Sequence, residues 1–282
     1  MNMKKVYPIV ILLVLSSLLF SADQKKRIFN FYMNCHSDRI QNLEQGERIV
    51  EIGKFFLGTP YVGGTLEGNE TEKCVINLDE LDCVTFYEQV ISLTLISSEF
   101  FNADFLVEDA FEKELTKMRY RDGIVDGYLS RLHYSSDWIY ENTKNGLFRD
   151  ITKEIGGIKI EEEINFMSRN PKYYDQLKNN SENLKKIQLI ENKLNQLDRF
   201  YIPKNKINGE VISKIASGDI IFITSARNGL DYAHTGIALK EGKQLKFLHA
   251  SSKKKKVVID ESLVNYLKTV KGHTGITVLR LI

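Results

Sequence analysis

Two neighbouring stretches decide the fold of this chain, Gly58-Thr59-Pro60-Tyr61-Val62-Gly63-Gly64 and Leu81-Asp82-Cys83-Val84-Thr85-Phe86. The glycines and the proline of the first stretch predict a turn-rich loop. In the second stretch, apolar residues recur at helical spacing from Val84 onward, which predicts a helix that opens with Asp82 and Cys83. The sequence therefore places a thiol at the N-terminus of a helix.

Cys83 is a candidate nucleophile because of this position. The N-terminus of a helix presents free N–H groups and a partial positive charge, and both favour the thiolate over the thiol. The alternative interpretation is a buried structural cysteine, which a thiol flanked by Val84 and Phe86 would also fit. The choice between the two depends on which residues the rest of the chain brings to the sulfur.

Composition indicates the class of protein but not the reaction that it catalyses. The chain has 282 residues, 43% of them hydrophobic, and a formal charge of +2. This predicts a globular protein, and although the length would allow two domains, one elaborated domain over residues 23–282 accounts for the pattern. The nearly balanced charge gives no reason to expect a nucleic-acid partner.

The first 22 residues have the pattern of a secretory signal peptide. Lysines at positions 4 and 5 precede an apolar run from Val6 to Phe20, and Ser21-Ala22 follow it. We expect cleavage near Asp23 and export to the periplasm or the medium, with no membrane span left in the mature chain. Retention as a membrane anchor is the alternative, for which the run is marginal in length. No cysteine lies at the exit of the run, next to Ser21-Ala22, which argues against a lipoprotein.

The chain has three cysteines, Cys35, Cys74 and Cys83. In an oxidising compartment an odd number leaves at least one thiol unpaired, and a catalytic Cys83 would be that one. Cys35 and Cys74 could then pair, although nothing in the sequence brings them together.

The two halves of the mature chain differ in their periodicity. Residues 23–210 read as mainly helical, with one or two helices over 27–56, a solvated loop over 67–72 and a helix over 104–120. Residues 211–282 read as mainly antiparallel sheet. Strands are expected at Ile220–Thr224, His234–Leu239, Lys246–Ser251, Val257–Asp260 and Ile276–Leu281, with a helix over Glu261–Leu267. This is the α+β pattern.

A polar and aromatic stretch in the helical half is a candidate binding surface. It includes Arg131, His133, Tyr134 and the single tryptophan, Trp138. Guanidinium groups and aromatic faces suit carboxylates and sugar rings. The alternative is that the rings belong to the core, that His133 is a structural histidine, and that the arginines of the stretch pair with acidic residues at positions 122, 126 or 137.

Two histidines, His234 and His249, each fall on a predicted strand. If these strands form a hairpin with its turn at Glu241-Gly242-Lys243, the two imidazoles can lie on one side of the sheet. Attack by a cysteine on an amide requires an imidazole as base and a third group that orients it. Cys83, His234 and His249 can fill these roles.

The chain resembles the NlpC/p60 superfamily of papain-like cell-wall cysteine hydrolases. The resemblance rests on the order of five runs: Pro60-Tyr61-Val62-Gly63-Gly64, Leu81-Asp82-Cys83, Ser217-Gly218-Asp219-Ile220-Ile221-Phe222, His234-Thr235-Gly236-Ile237-Ala238 and Phe247-Leu248-His249-Ala250-Ser251. Within the superfamily the chain is similar to the N-acetylmuramoyl-L-alanine amidase-like family, at Gly58-Thr59-Pro60-Tyr61, Thr65-Leu66-Glu67, Asp82-Cys83-Val84-Thr85-Phe86, Arg131-Leu132-His133-Tyr134 and His249-Ala250-Ser251-Ser252.

The resemblance implies a papain-like α+β fold, in which the helix that carries the nucleophile packs on a C-terminal antiparallel sheet and extra helices surround it. It implies hydrolysis of the amide between N-acetylmuramic acid and L-alanine in peptidoglycan. Cys83 would be the nucleophile, His234 the base and His249 the third polar residue. Tyr61 and Asp82 match positions that lie beside the nucleophile and contact substrate, and we add Arg131, His133 and Tyr134 of the polar and aromatic stretch as candidate substrate-binding residues.

We expect no metal and no cofactor, because the cysteines lack the paired short spacing of zinc sites and no His-Glu-x-x-His motif is present. The expected partner is peptidoglycan or a muropeptide, and the oligomeric state stays open. Alternatives with the same residues are an endopeptidase that cuts the stem peptide after D-glutamate and an acyltransferase. A non-catalytic wall-binding module is a further alternative. The basic run Lys253–Lys256 is expected to be a solvated turn.

Overall fold

The computed structural model describes residues 24–282, so the predicted signal peptide lies outside the described residues. The α-helices are α1 (24–35), α2 (Asp38–Gln41), α3 (Gln45–Lys54), α4 (Cys83–Ile96), α5 (Asp104–Arg119), α6 (Ser135–Lys144), α7 (Phe166–Arg169), α8 (Asp175–Lys178), α9 (Ser181–Asn195), α10 (Gly209–Lys214) and α11 (Leu263–Thr269). The strands are β1 (Phe148–Asp150), β2 (Ile158–Lys159), β3 (Phe200–Pro203), β4 (Ile220–Ser225), β5 (Tyr232–Glu241), β6 (Gln244–Ser251), β7 (Lys256–Asp260) and β8 (His273–Leu281). None of the helices in residues 24–282 is both long and apolar enough to cross a membrane.

The strands form one antiparallel sheet in the order β2-β3-β8-β4-β5-β6-β7, and β1 also pairs with β8. Strand β4, at the centre, is buried from Ile220 to Thr224, as expected for a strand covered on both faces. The α+β prediction is confirmed. The five strands predicted from alternation correspond to β4 through β8, and α5 covers the predicted helix almost to its last residue.

Three short strands interrupt the half that the sequence predicts as mainly helical. Strands β1 and β3 have three and four residues and pair with β8, while β2 has two residues and pairs with β3. Segments this short have no alternation of their own, so they are strands only through their pairing with a neighbouring strand. Residues 27–56 likewise contain parts of three helices, α1 to α3, rather than one or two.

Helix α4 and helix α11 cover opposite faces of the sheet. Phe86 and Val90 of α4 belong to the same buried cluster as Ile237 and Leu248 of the β5–β6 hairpin. Their sequence neighbours Ala238 and Phe247 belong to a second cluster, which α11 covers with Leu263 and Leu267. Because successive strand residues point to opposite faces, one hairpin contributes to both cores.

The glycine-rich loop is fixed to the sheet and to the residue that precedes Asp82. The Tyr61 N–H donates to the Lys255 carbonyl at 3.0 Å, in the connection between β6 and β7. The Val62 N–H donates to the Leu81 carbonyl at 3.1 Å. Gly58 has a φ of +89°, in the region where glycine is favoured, so the predicted turn is present. These bonds hold Tyr61 beside the start of α4.

Candidate active site

A capping box sets the start of α4 and with it the position of Cys83. Asp82 is the N-cap, and its carboxylate accepts hydrogen bonds from the N–H groups of Val84 at 3.0 Å and Thr85 at 2.8 Å. The Thr85 hydroxyl accepts in return from the Asp82 N–H at 2.9 Å. Two orphan donors of the helix end are thereby satisfied, which explains why the helix begins here. Cys83 is its first residue.

The expectation that this position favours the thiolate is wrong for the resting protein. Burial, together with the negative charge of Asp82, raises the pKa of Cys83 to about 12, although hydrogen bonds from Thr235 oppose the shift. The main physical reason is burial of the thiol; in addition, Asp82 occupies the free N–H groups and offsets the positive end of the helix with its own charge. Cys83 is therefore a neutral thiol at neutral pH.

The β5–β6 hairpin brings the two histidines together. The strands pair from Ile237 opposite Leu248 to the turn, and beyond that pair they are no longer bonded to each other, whereas β6 still pairs with β7. His234 and His249 lie beyond this last pair. His234 Nε2 lies 2.6 Å from His249 Nδ1, and the ring centroids are 4.8 Å apart.

Gly236 makes this arrangement possible. It is the residue of β5 that faces His249, and a Cβ atom built on it would lie 2.7 Å from His249 Cβ and from the ring of Phe247. Real Cβ contacts are not that short, so any other residue would displace the His249 side chain. The glycine thus lets the third residue of the candidate triad approach the strand that carries His234.

A carboxylate that sequence reasoning missed completes the cluster. Asp260 is the last residue of β7, and its Oδ2 lies 2.9 Å from His249 Nε2. Lys254 forms an ion pair with the same carboxylate. The available signal was the period of β7, which puts Asp260 on the same face as the residue that pairs with His249. The Lys253–Lys256 run is exposed as predicted, but one of its members is joined to the candidate site.

Cys83 is attached to the strand that carries His234. The hydroxyl of Thr235, the next residue along β5, donates to the Cys83 carbonyl at 2.8 Å. Tyr266 of α11 spans the cluster: its ring lies 5.8 Å from that of His234, and its pKa is raised by burial and by the charges of Asp260 and Cys83. Within residues 24–282, no hydrogen bond joins Cys83 Sγ to the His234 ring.

Both imidazoles are neutral at neutral pH. Burial holds the pKa of His234 well below its usual value, and the charge of His249 adds to the effect. Burial also lowers the pKa of His249, although the hydrogen bond to Asp260 opposes that shift. For Asp260, partial burial opposes ionisation, but hydrogen bonds from Lys254 and His249 outweigh it and the pKa is lowered. The cluster therefore combines a neutral thiol, two neutral imidazoles and a carboxylate.

Four predicted substrate-binding residues, Asp82, Arg131, His133 and Tyr134, line a pocket of about 220 Å³ that also includes Val84. Asp82 and Val84 flank Cys83 in the sequence, whereas Cys83 itself is not among the residues that line the pocket. Tyr61 does not line it. Burial and then the nearby charges of Cys83 and Asp82 raise the pKa of Tyr61 to about 12.

Each of these pocket residues has at least one polar group engaged within the protein. The Arg131 guanidinium forms ion pairs with Glu67 at 2.8 Å and Glu72 at 3.1 Å, both from the loop predicted to be solvated. His133 Nε2 lies 2.8 Å from the Tyr128 carbonyl. Arg131 thus pairs with residues other than the acidic ones considered from sequence, and His133 has the structural contact of the alternative interpretation.

Tyr134 and Asp82 also make hydrogen bonds within the protein. The Tyr134 hydroxyl donates to Glu191 at 2.7 Å and accepts from the Met167 N–H at 2.7 Å. The Asp82 carboxylate is used by the capping box, as described above. These residues shape the wall of the pocket while making hydrogen bonds within the protein.

The cysteines do not form the pair considered from sequence. Cys35, Cys74 and Cys83 are all free thiols. Cys35 is buried in α1, whereas Cys74 lies 4.0 Å from the Arg119 guanidinium. Among residues 24–282, no group of three or more His, Cys, Asp or Glu side chains is arranged as metal ligands.

Comparison with protein families places the chain. The AmiA-like family model, described as N-acetylmuramoyl-L-alanine amidase-like, matches residues 51–276. That match covers Tyr61, Cys83, His234 and His249, so every candidate catalytic residue lies inside it. The chain belongs to the N-acetylmuramoyl-L-alanine amidase-like family. A search of curated proteins gives no match.

The chain is also similar to several solved structures. The chain is similar to an N-acetylmuramoyl-L-alanine amidase from Bacteroides uniformis, with 41% identity, a TM-score of 0.78 and coverage of 84% of this chain and 99% of that one. A Bacteroides fragilis protein provisionally named as a xylanase is also 41% identical, with a TM-score of 0.74 and coverage of 81% and 99%. A Legionella pneumophila protein is 26% identical, with a TM-score of 0.70 and coverage of 94% and 97%.

Proposed function

We propose that this protein is a cysteine-dependent amidase that hydrolyses the bond between N-acetylmuramic acid and L-alanine in peptidoglycan. The observation that carries the proposal is the position of Cys83 in a member of the amidase-like family. Cys83 is the first residue of a capped helix, and its carbonyl is hydrogen-bonded to Thr235, which follows His234 of the His234–His249 pair. The amidase name of the Bacteroides uniformis structure supports the same substrate.

The reaction starts from neutral groups. As the Cys83 sulfur attacks the lactyl carbonyl of muramic acid, its proton passes to His234, because the resting thiol is not ionised. The C–N bond breaks as the imidazolium returns the proton to the L-alanine nitrogen. Water, activated by His234, then attacks the thioester and releases muramic acid with a free carboxylate and Cys83 as thiol.

The oxyanion needs donors other than the second and third N–H groups of α4, since Asp82 binds those of Val84 and Thr85. The backbone N–H of Cys83 lies close to the sulfur of the same residue, and the tetrahedral centre forms next to that sulfur. The Tyr61 hydroxyl is the second donor in this proposal, and its raised pKa keeps the proton on the oxygen at neutral pH. Two donors of this kind match the usual oxyanion hole.

The pocket beside Asp82 and Val84 is proposed to bind one side of the scissile amide, with Arg131, His133 and Tyr134 in its wall. The predicted signal peptide and the location of peptidoglycan outside the membrane both support export to the periplasm or the medium. The order of the motifs supports placement in the papain-like NlpC/p60 superfamily, which we retain as a proposal.

Digestion of purified muropeptides tests the proposed function. The mature protein and the Cys83→Ala variant are compared, with Cys74→Ala as the matched control, and products are identified by mass spectrometry. We expect free intact stem peptide only when Cys83 is present. Cleavage inside the stem would instead identify an endopeptidase, and a product joined to an added amine acceptor would identify a transferase.

Two further outcomes would contradict the amidase proposal. Release of sugars from xylan, with no action on muropeptides, would favour the activity suggested by the name of the Bacteroides fragilis protein, which requires a pair of catalytic carboxylates rather than a thiol. Equal binding of muropeptides by wild-type and Cys83→Ala proteins with no product from either would indicate a binding module.

A further inference from the structure

We infer that Asp260 is a positioning residue that fixes which nitrogen atoms of the His249–His234 pair carry protons, and that Lys254 holds Asp260 in this role. The inference rests on the proposed function, since it specifies how the base of that reaction is prepared. It adds to the cysteine and two histidines a carboxylate and an ammonium group from the β6–β7 segment.

The contacts form a continuous chain of polar groups. His234 Nε2 lies 2.6 Å from His249 Nδ1, and His249 Nε2 lies 2.9 Å from Asp260 Oδ2. The other carboxylate oxygen, Oδ1, receives the Lys254 ammonium. His249 is fully buried, whereas the side chains of Asp260 and Lys254 are 21% and 48% exposed, so the chain runs from the interior to the surface.

The order of protons follows from the carboxylate. Ionised Asp260 only accepts hydrogen bonds, so His249 Nε2 must carry a hydrogen. A neutral His249 then has a lone pair on Nδ1, and the short contact requires His234 Nε2 to donate to it. His234 Nδ1 is consequently left without a proton. The carboxylate thus sets His234 Nδ1 as the basic atom through two hydrogen bonds.

No other described residue can set this order. The ring of Phe247 stacks on His249 at 4.6 Å and the ring of Tyr266 lies 4.9 Å away, but neither makes a hydrogen bond to the imidazole. These rings fix where His249 lies and not which nitrogen is protonated. Within residues 24–282, His234 and Asp260 are the hydrogen-bond partners of the His249 ring.

The connection between β6 and β7 places the Lys254 ammonium against Asp260. The Lys254 N–H donates to the Ser251 hydroxyl at 3.1 Å, which closes the connection after β6. Lys255 has a φ of +59°, and its carbonyl accepts the N–H of Tyr61. One short segment therefore positions both the carboxylate of the proton chain and the tyrosine of the proposed oxyanion site.

The first test uses Asp260→Asn and Lys254→Met, with Lys253→Met as the matched control in the same exposed run. An asparagine can donate to His249 Nε2 as well as accept from it, so the pair can adopt the reversed order with His234 Nδ1 protonated. We expect kcat on a muropeptide to fall on the order of 100-fold in Asp260→Asn with KM little changed. Lys254→Met should lower kcat about fivefold. Lys253→Met should leave kcat unchanged.

The second test does not depend on turnover. The ¹⁵N shifts of the histidine rings, measured at neutral pH in the Cys83→Ala background, should show His234 protonated at Nε2 alone when Asp260 is present and a mixture of tautomers in Asp260→Asn. An unchanged tautomer together with unchanged kcat in Asp260→Asn would overturn the inference. If the wild-type protein has no amidase activity, the ring shifts alone decide it, so that its failure and that of the proposed function are distinguishable.

Discussion

Two clusters of ionisable residues near α4 differ in their exposure to solvent. In the first, Glu88 of α4 and Arg119 of α5 form an ion pair at 2.8 Å with side chains only 1% and 2% exposed. In the second, the pair of histidines is buried but ends at Asp260 and Lys254, which reach the surface. A closed ion pair leaves no path for a proton, whereas an open chain can take up and release one.

The first cluster joins elements of the fold, although Glu88 and Arg119 also line the 220 Å³ pocket, whereas the second cluster serves the proposed chemistry. The Glu88 carboxylate also accepts from the Trp138 indole at 3.2 Å, and the Arg119 guanidinium donates to the Val75 carbonyl at 2.6 Å. These bonds connect α4, α5 and α6 to the segment before Cys83. Changes in the first cluster should therefore reduce stability, and changes in the second should reduce activity.

The largest effect is expected from His234→Ala. Loss of the base should reduce kcat/KM by about 10⁴-fold or more, as for triad residues in general. His36→Ala is the control, because that ring contacts the carbonyl of Glu99 beyond the far end of α4. The measurement is muropeptide turnover together with the free energy of unfolding. Retention of more than a tenth of the activity in His234→Ala would contradict the assignment.

Arg119→Met should have the largest effect on stability. It leaves the buried Glu88 carboxylate without its partner, which typically costs about 3–5 kcal/mol. The double variant Glu88→Gln/Arg119→Met removes both charges and should regain much of the loss. Urea unfolding of the three proteins measures the difference. A single variant that loses under about 1 kcal/mol would show that the pair is not structural.

Acid should destabilise the protein partly through His273. Burial, with the charges of Lys204 and His249, lowers the pKa of this imidazole to about 4. Because the unfolded chain binds the proton with the usual pKa near 6.5, stability is full above that pH and falls as the pH drops from about 6.5 to about 4.

The matched variant is His273→Gln, which has no such group. Over this interval the wild type should lose up to about 3 kcal/mol more of its unfolding free energy than His273→Gln does. Urea unfolding at a series of pH values measures it. Parallel pH curves for the two proteins would show that the buried imidazole does not contribute.

The smallest effect concerns the reactivity of the thiol. In Asp82→Asn the side-chain oxygen can still cap α4, but the negative charge that raises the pKa of Cys83 is gone. Alkylation of Cys83 by iodoacetamide near neutral pH should be several-fold faster, because the fraction of thiolate rises. Peptide mapping assigns the label, and Glu80→Gln, an exposed acidic residue two positions away, is the control. An equal or slower rate in Asp82→Asn would contradict the electrostatic account.

The comparison also shows what the sequence could predict. Alternation located β4 to β8, and the turn at Gly242-Lys243 brought His234 beside His249, because both signals are local. Asp260 was missed as a site residue, since its role depends on the pairing of β6 with β7. The pKa of Cys83 was misjudged because burial of the thiol, and then the carboxylate of Asp82 that turns back onto the helix end, raise it.

The helical half was harder to predict for the same reason. The segment with Glu67 and Glu72 has no apolar residue and reads as a solvated loop, yet both carboxylates close on Arg131 in the pocket wall. A pattern along the chain reports periodicity and turns. It does not report which distant charge will compensate a buried one.

The central claim is that Cys83 carries out hydrolysis at the carbonyl of muramic acid. Digestion of a muropeptide in ¹⁸O-labelled water, followed by mass spectrometry of the separated products, tests it most directly. We expect one ¹⁸O atom in the carboxylate of muramic acid, none in the stem peptide, and no product with Cys83→Ala. Label in a peptide carboxylate, or label in muramic acid without Cys83, would contradict it.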